Sequence, residues 1–200
     1  MLPLVPVDPA DLRRAVNVIA LRQAGYFTAS QARAAGYSYQ AQKYHVDHGN
    51  WTRVDRGLFR LPGWPAREDD AYVLWRLWSR EQGVVSHLSA LAVHGLGNMD
   101  PTSVHLTVPP GFRAADPSVV LHKGSLPPPD VQDRAGYQVT TAERTLLDVA
   151  AAGISQEQFD AAISEALERR LVSLPRLRAR FDEFGDRAAL RAERALRAVM

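Results

Sequence analysis

The sequence has 200 residues, with 24 Lys and Arg against 22 Asp and Glu, which leaves a formal net charge of +2. Hydrophobic residues make up 46% and charged residues 23%, a composition typical of globular domains. The near balance of charge excludes a polybasic tail protein and an acidic disordered chain. Cysteine is absent, which excludes disulfides, cysteine-type zinc sites and thiol catalysis, and fits a reducing cytoplasm.

Neither the start of the chain nor its hydropathy points to a membrane. The N-terminal sequence MLPLVPVDPADLRR has a short apolar run and no basic start, so no signal peptide is predicted. No stretch approaches the roughly 18 uninterrupted apolar residues of a membrane span. We therefore expect a cytoplasmic protein without a membrane partner.

The small total charge conceals an uneven distribution along the chain. Residues 1–65 carry a net charge of +4, residues 66–172 carry −5, and residues 173–200 carry +3. A basic N-terminal region favours a polyanionic partner, and the acidic middle indicates a different role for the rest of the chain.

The N-terminal region reads as three helices. Asp8 or Asp11 can cap a first helix that runs to about Ala24, and Tyr26 and Phe27 then form a short connector. Thr28-x-x-Gln31 is a capping box that opens a short second helix. The third helix is predicted over residues 39–48, with Ser38 as its cap. A tight turn containing Gly36 separates the second and third helices, which is the helix-turn-helix pattern.

A small basic hairpin is predicted next, over residues 51–62, with a turn at Asp55-Arg56-Gly57. Arg53, Arg56 and Arg60 rim this hairpin. Three helices followed by a basic hairpin form the winged helix-turn-helix order, so residues 1–65 are predicted to be a DNA-binding domain. A helix fits the major groove, and an arginine-bearing hairpin can lie along the adjacent backbone or minor groove.

Within the third helix, helical spacing assigns an inward and an outward face. Gln42, His45, Val46 and Gly49 are predicted to face the domain, and Tyr39, Gln40, Lys43, Tyr44 and Asp47 to face outward. On the outward face, Gln40 can read adenine edges, Lys43 can contact a guanine or a phosphate, and the tyrosines can donate to phosphates. The alternative is that Tyr44 belongs to the core and Lys43 is a solvated charge. The candidate DNA-binding residues are Ser38, Tyr39, Gln40, Lys43, Tyr44, Arg53 and Arg56.

The remainder of the chain reads as a mixed second domain over residues 66–200, after a hinge at residues 63–65. Helices are predicted over residues 67–82, 86–95, 142–151 and 155–171, strands over 104–108, 119–122 and 137–140, and a helical C-terminus thereafter. The predicted fold class is therefore α+β, with an N-terminal winged helix-turn-helix domain and a C-terminal α/β domain that holds a small sheet and a helical C-terminus.

An arginine stripe is predicted on the last helix, at Arg187, Arg191 and Arg194. A solvated face is the ordinary explanation of such a stripe. The alternative is a contact surface for a partner or for nucleic acid.

The sequence gives little sign of an active site. His87, His94, His105 and His122 could supply a base or a ligand pair, but no carboxylate is arranged beside them in the sequence pattern. His45 and His48 lack a third ligand nearby. The Asp…Glu-x-Lys pattern of metal-dependent nucleases, glycine-rich phosphate loops and Gly-x-Ser-x-Gly are all missing. We expect no catalysis, no metal and no cofactor.

Several blocks of sequence resemble one known family in a consistent order. The blocks TASQA (28–32), GYS (36–38) and GNWTRVDRGLF (49–59) resemble the N-terminal winged-helix module of AbiEi-type antitoxins. SHLSALAVHGL (86–96), VHLTVP (104–109) and VTTAERTLLD (139–148) resemble the C-terminal domain of that family. The resemblance extends over about residues 20–172.

This resemblance implies an antitoxin of a two-gene toxin–antitoxin system, often called type IV. Its winged helix would bind inverted repeats in its own promoter and repress it. Its C-terminal domain would counter a nucleotidyltransferase toxin of the AbiEii type, by contact or by changing the modification state of the toxin. Relatives often carry several arginines in the third helix where this chain has Tyr39, Gln40, Gln42 and Tyr44. The alternative is a protein-interaction module whose winged helix is a structural adaptor without specific DNA binding.

Overall fold

The structure, a computed structural model, describes residues 8–181 and 184–199, so residues 1–7, where no signal peptide is predicted, lie outside the described part. The chain is α+β and divides into two compact units. The first unit contains the residues up to Arg80 together with Ala135–Tyr137, and the second contains Glu81–Arg134 and the residues from Gln138 onward. Contacts therefore divide the chain after Arg80, and the predicted boundary at residue 65 falls inside the first unit.

The first unit is built from four helices and a three-stranded antiparallel sheet. Its elements are α1 (Pro9–Arg22), β1 (Tyr26–Thr28), α2 (Ala29–Ala34), α3 (Tyr39–Asp47), β2 (Thr52–Asp55), β3 (Leu58–Arg60) and α4 (Asp70–Trp78). The strand order is β1-β3-β2. The predicted connector at Tyr26 and Phe27 is wrong, because these residues form β1 and pair with Arg60 and Phe59. A three-residue strand of this kind is defined by a distant partner, which local sequence does not reveal.

The predicted helix starts in this unit are confirmed by their capping bonds. The Asp8 carboxylate accepts a hydrogen bond from the Ala10 N–H at 2.8 Å. The Thr28 and Gln31 side chains each accept from the backbone N–H of the other residue, which completes the capping box. The Ser38 hydroxyl accepts from the Ala41 N–H at 3.1 Å. These bonds satisfy N–H groups that a helix leaves unpaired at its first turn.

An aromatic core holds α3 and the hairpin together. The Phe27 ring contacts Trp51 edge-on at a centroid distance of 4.8 Å, and Phe59 lies 5.7 Å from Phe27. Trp64 packs so closely over Gly25 that a Cβ at that glycine would overlap its ring. The predicted hinge at residues 63–65 is therefore a packed segment of the first unit.

The second unit combines a five-stranded mixed sheet with a layer of helices. Its elements are β4 (Val84–Val85), α5 (His87–His94), β5 (Val104–Val108), β6 (Val119–Lys123), β7 (Val131–Asp133), β8 (Gln138–Thr140), α6 (Ala142–Ala152), α7 (Gln156–Glu168), α8 (Leu174–Phe181) and α9 (Asp186–Val199). The sheet order is β6-β5-β4-β8-β7. The short strands β4 and β7 are absent from the sequence prediction. The predicted helix over 67–82 is shorter, because Arg80 and Glu81 adopt left-handed backbone angles.

The apolar core of the second unit lies among its helices. Fully buried residues there include Leu91, Leu146, Leu147, Phe159, Ile163, Leu177 and Leu196. None of the helices formed by the described residues is long and apolar enough to cross a membrane.

The predicted arginine stripe of the last helix is not a continuous exposed surface. Arg191 turns inward: its guanidinium donates to the carbonyls of Ala150 and Ile154 and lies 5.1 Å from the centre of the Phe159 ring. The Ala150 carbonyl belongs to the last turn of α6, where a helix leaves carbonyls without internal partners, and Ile154 lies in the turn that follows. Arg194 is exposed, and the side chain of Arg187 lies outside the described part of the chain.

Candidate nucleic-acid interface

The outward face of α3 is polar, aromatic and accessible. Tyr39 is 65% exposed and Tyr44 is 54% exposed, and Gln40 and Lys43 are exposed beside them. The alternative that Tyr44 belongs to the core is therefore wrong. Two phenol hydroxyls, an amide and an ammonium group lie along one side of a nine-residue helix. Such groups can contact phosphates and base edges.

A buried amide fixes the opposite side of α3. Gln42 is only 3% exposed, and its Nε2 donates to the carbonyls of Ala29 and Tyr37, each at 3.2 Å. These two bonds tie α3 to the start of α2 and to the turn between the helices. Because the amide is satisfied inside the fold, α3 is held in one rotational setting, with Tyr39, Lys43 and Tyr44 pointing outward.

The end of α3 packs on aromatic rings. His45 stacks on Trp51 with centroids 4.8 Å apart and meets Tyr37 edge-on at 5.2 Å. Burial, and to a smaller extent the positive charge of Arg13, lowers the pKa of His45. The imidazole therefore acts here as a packing group between two aromatic rings. His48 stacks on Tyr44 at 3.9 Å, so the tyrosine ring has a fixed neighbour on an otherwise exposed face.

One ion pair crosses the exposed face of α3. The Lys43 ammonium lies 2.5 Å from a carboxylate oxygen of Asp47, one turn further along the helix. Both side chains are mostly exposed, and such pairs contribute on the order of 0–1 kcal/mol. A phosphate can therefore compete with Asp47 for the lysine at little cost.

The hairpin β2–β3 presents a second basic surface. Every residue of β2 is exposed, including Arg53, and Arg56 is exposed in the turn that follows. The Asp55 carboxylate accepts the Arg56 N–H at 2.6 Å, and Gly57 completes the turn with a φ of +72°. The Gly57 carbonyl accepts from the Ala29 N–H, so the hairpin tip is anchored to α2.

Arg60, predicted to rim the hairpin with Arg53 and Arg56, instead faces the body of the unit. It forms an ion pair with Asp70 of α4, donates to the Pro65 carbonyl and lies 4.7 Å from the Tyr26 ring centre. Its position at the end of the central strand β3 brings it to these partners. Arg60 therefore belongs to the scaffold of the hairpin.

The structure adds one residue that the sequence reading missed. The guanidinium of Arg33, from α2, lies 4.7 Å from the centre of the Tyr39 ring. Arg33 is exposed, so it places a further positive charge beside the start of α3, next to Ser38. Its position near the helix-turn-helix turn is the signal that could have singled it out.

In the second unit the structure gathers three of the four candidate histidines. His87, His105 and His122 lie together, whereas His94 contacts the Thr140 carbonyl at 2.7 Å. The described residues contain no group of three His, Asp or Glu side chains that could hold a metal ion.

Comparison with known proteins finds a family likeness in the N-terminal region. No curated protein matches the sequence. Among solved structures, the chain is similar to the RV2827C protein from Mycobacterium tuberculosis, with 16% identity and a TM-score of 0.49, over 94% of this chain and 81% of that one. Residues 13–62 match the family described as "Transcriptional regulator, AbiEi antitoxin". These residues run from α1 to β3, so the part of the chain that is similar to this family contains both α3 and the hairpin.

Proposed function

We propose that the first unit is a winged helix-turn-helix domain that binds the promoter of its own operon and represses it. The observation that carries this proposal is that the matched residues 13–62 contain both α3, with its exposed polar face, and the arginine-bearing hairpin. The order of three helices and a hairpin, with α3 anchored from behind by Gln42, supports the assignment of α3 as the recognition helix.

In this proposal α3 enters the major groove and the hairpin follows the adjacent backbone. Gln40 reads an adenine edge and Lys43 a guanine or a phosphate, while Ser38, Tyr39 and Tyr44 donate to phosphates. Arg53 and Arg56 act as the wing contacts. Because α3 carries no arginine, sequence discrimination rests on few base contacts and the phosphates supply most of the affinity.

Inverted repeats would require two copies of the chain on one operator. A two-fold pair reads two half-sites separated by about 34 Å or a multiple of it, one or more turns of the double helix. Binding by such a pair predicts half-sites spaced in steps of a helical turn upstream of the gene.

A gel-shift titration with the upstream intergenic DNA tests the repressor proposal. We expect a shift at lower protein concentration than with a scrambled duplex of equal length. Lys43→Ala and Arg56→Ala should each weaken binding several-fold, whereas Arg67→Ala, an exposed arginine outside α3 and the hairpin, should leave it unchanged. Equal affinity for both duplexes would refute specific DNA binding. It would favour the alternative that the chain is a protein-interaction module without specific DNA binding.

We further propose that the second unit counters a nucleotidyltransferase toxin of the AbiEii type, in the cytoplasm, by contact or by changing the modification state of the toxin. The family of the first unit supports the antitoxin role. Co-expression with the product of a neighbouring nucleotidyltransferase gene tests it: the full chain should restore growth. Growth arrest that persists with the full chain present would refute the antitoxin role while leaving DNA binding open.

A further inference from the structure

Three histidines that are far apart in the sequence form one cluster in the second unit. The rings of His87, at the start of α5, and His122, in β6, are stacked with centroids 3.4 Å apart and planes within 9°. His105, in the neighbouring strand β5, places its Nδ1 3.0 Å from His122 Nε2. Two of the three rings therefore form a flat stacked pair, and the third is hydrogen-bonded to it.

The stacked pair is electrically neutral at physiological pH. Burial, with a smaller effect from the neighbouring imidazoles, lowers the pKa of His87 to about 3 and that of His122 to about 4. A neutral imidazole offers one N–H donor and one nitrogen acceptor. The pair is thus a surface for stacking and hydrogen bonding rather than a site of positive charge.

The conformation of His87 is unusual and is held by its neighbours. Its φ is +52°, in the left-handed region that non-glycine residues seldom occupy. The Ser86 hydroxyl lies 2.9 Å from His87 Nδ1, and Thr107 donates to the same hydroxyl at 2.8 Å. Sparsely populated backbone angles that the surroundings enforce concentrate at binding sites.

His87 and His122 line two adjoining cavities of about 520 and 510 Å³. The walls of the first include the apolar side chains of Leu88, Met99 and Ile154. The second is lined in addition by Thr107, Lys123, Arg144, Asp148 and Phe184. Concave sites of this size are typical of small-molecule binding.

Asp148, which lines the second cavity, has one carboxylate oxygen without a hydrogen-bond partner among the described residues. Asp148 is only 6% exposed, and its Oδ1 accepts from Arg144 Nε at 2.8 Å. Its Oδ2 is buried and accepts no hydrogen bond from the described residues. A buried acceptor left without a donor destabilises the fold, so the site favours a ligand that brings a donor to this oxygen.

We propose that this cavity binds a nucleotide whose base carries an exocyclic amino group. The base packs against the imidazole pair of His87 and His122, its amino group donates to Asp148 Oδ2, and Lys123, which lines the same cavity, meets the phosphate. Adenine, guanine and cytosine carry such an amino group, and uracil does not. The inference concerns the second unit and is independent of the DNA-binding proposal.

Calorimetric titration of the full chain with AMP, GMP, CMP and UMP tests the proposal. At least one nucleotide with an amino-bearing base should bind about tenfold more tightly than UMP, because only its base satisfies Asp148. Asp148→Asn should reduce that preference by about tenfold, because its amide can turn a donor toward the ligand. Asp160→Asn, in α7 of the same unit and outside both cavities, is the matched control and should bind as the parent does.

The base could come from a free nucleotide or from a single strand, and the same experiment separates these sources. A uridine hexamer with one internal guanosine is compared with the all-uridine hexamer. Binding of the monophosphates indicates a free nucleotide, and selective binding of the guanosine hexamer alone indicates a strand. Failure of every probe, or equal affinity for UMP, would overturn the proposal. The preference of the parent chain for amino-bearing bases over uracil decides the proposal even if a variant folds poorly. Promoter binding, measured in parallel, does not depend on either outcome.

Discussion

The arginines of the hairpin differ from those of the buried ion network in the second unit. In the first unit Arg53 and Arg56 are exposed on the hairpin, and neither is paired with a carboxylate in the described part of the chain. In the second unit Arg144 and Arg180 are largely buried and both contact Asp130, at 2.9 and 2.8 Å. Part of the acidic charge in the middle of the sequence is therefore neutralised by internal ion pairs, whereas the charges of Arg53 and Arg56 remain available to a partner.

The largest expected effect comes from breaking the buried network. Asp130→Ala removes the carboxylate shared by Arg144 and Arg180 and takes one of its ion pairs from each guanidinium. We expect a loss of about 3–5 kcal/mol in the free energy of unfolding of the second unit. Urea unfolding followed by circular dichroism measures it. The control is Asp47→Ala, which breaks the exposed pair with Lys43 and should cost less than about 1 kcal/mol. Equal losses would contradict the contrast between the units.

A second test uses the pH dependence of Asp148. Burial raises its pKa from 3.8 to about 6, so between these values the folded protein binds more protons than the unfolded chain and stability falls as pH rises. The asparagine of Asp148→Asn cannot ionise, so the variant does not lose stability in this way as pH rises. It should therefore be more stable than the parent at pH 7, by about 1–3 kcal/mol, and the difference should vanish near pH 4. A variant less stable than the parent at pH 7 would refute the assigned direction.

The histidine pair gives the opposite slope in the same pH range. The folded-state pKa values of His87 and His122 lie well below the ordinary 6.5, so their contribution to stability is present above that value and is lost as pH falls. In Asp148→Asn this slope is no longer opposed by the carboxyl group. The stability of the variant should consequently rise more steeply between pH 4 and pH 6 than that of the parent, as thermal unfolding at a series of pH values would show.

A smaller effect is expected from the amide behind α3. Gln42→Leu leaves the Ala29 and Tyr37 carbonyls without their donor and should destabilise the first unit by about 1–3 kcal/mol. It should also weaken promoter binding without removing any exposed group. Gln40→Leu, on the exposed side of the same helix, should leave stability within about 0.5 kcal/mol of the parent. Unchanged promoter affinity in Gln42→Leu would mean that the setting of α3 is fixed by the aromatic core alone.

The smallest effect on stability is expected from a substitution in the hairpin. Arg56→Ala should change the free energy of unfolding by less than about 0.5 kcal/mol, because its side chain is exposed. The substitution should instead change how steeply DNA binding weakens as the salt concentration rises. If two copies neutralise about six phosphates, log affinity falls by about 5 per tenfold rise in salt, and loss of one contact per copy should lower that slope by about 2. A slope that does not change would mean that Arg56 meets no phosphate.

Much of the local structure is predictable from the sequence because its causes are local. The capping bonds of Asp8, Thr28 and Ser38 follow from residues two or three positions away. The outward face of α3 follows from helical spacing, which places Tyr39 and Lys43 on the opposite side from Gln42. The candidate interface could therefore be identified in outline, although its DNA contacts stay predictions.

Groups whose role depends on distant partners could not be assigned in this way. Arg60 and Arg191 look like members of basic surfaces in the sequence. Asp70, ten residues from Arg60, and two carbonyls more than thirty residues from Arg191 turn these side chains inward. Strand β1 exists because residues 58–60 pair with it. Long side chains reach several ångströms, so their direction is decided by whichever acceptor the fold brings near.

The sequence by itself determined where the first three helices begin, how the second and third are spaced, and the basic character of the N-terminal region. Each of these depends on interactions within one or two helical turns. Only the tertiary structure decided which charges are free and which are paired. It also decided that His87, His105, His122 and Asp148 meet around adjoining cavities. Burial and hydrogen bonding between residues distant in the chain depend on packing. Packing leaves Arg53 and Arg56 exposed on the hairpin and pairs Arg144 and Arg180 with Asp130 inside the second unit.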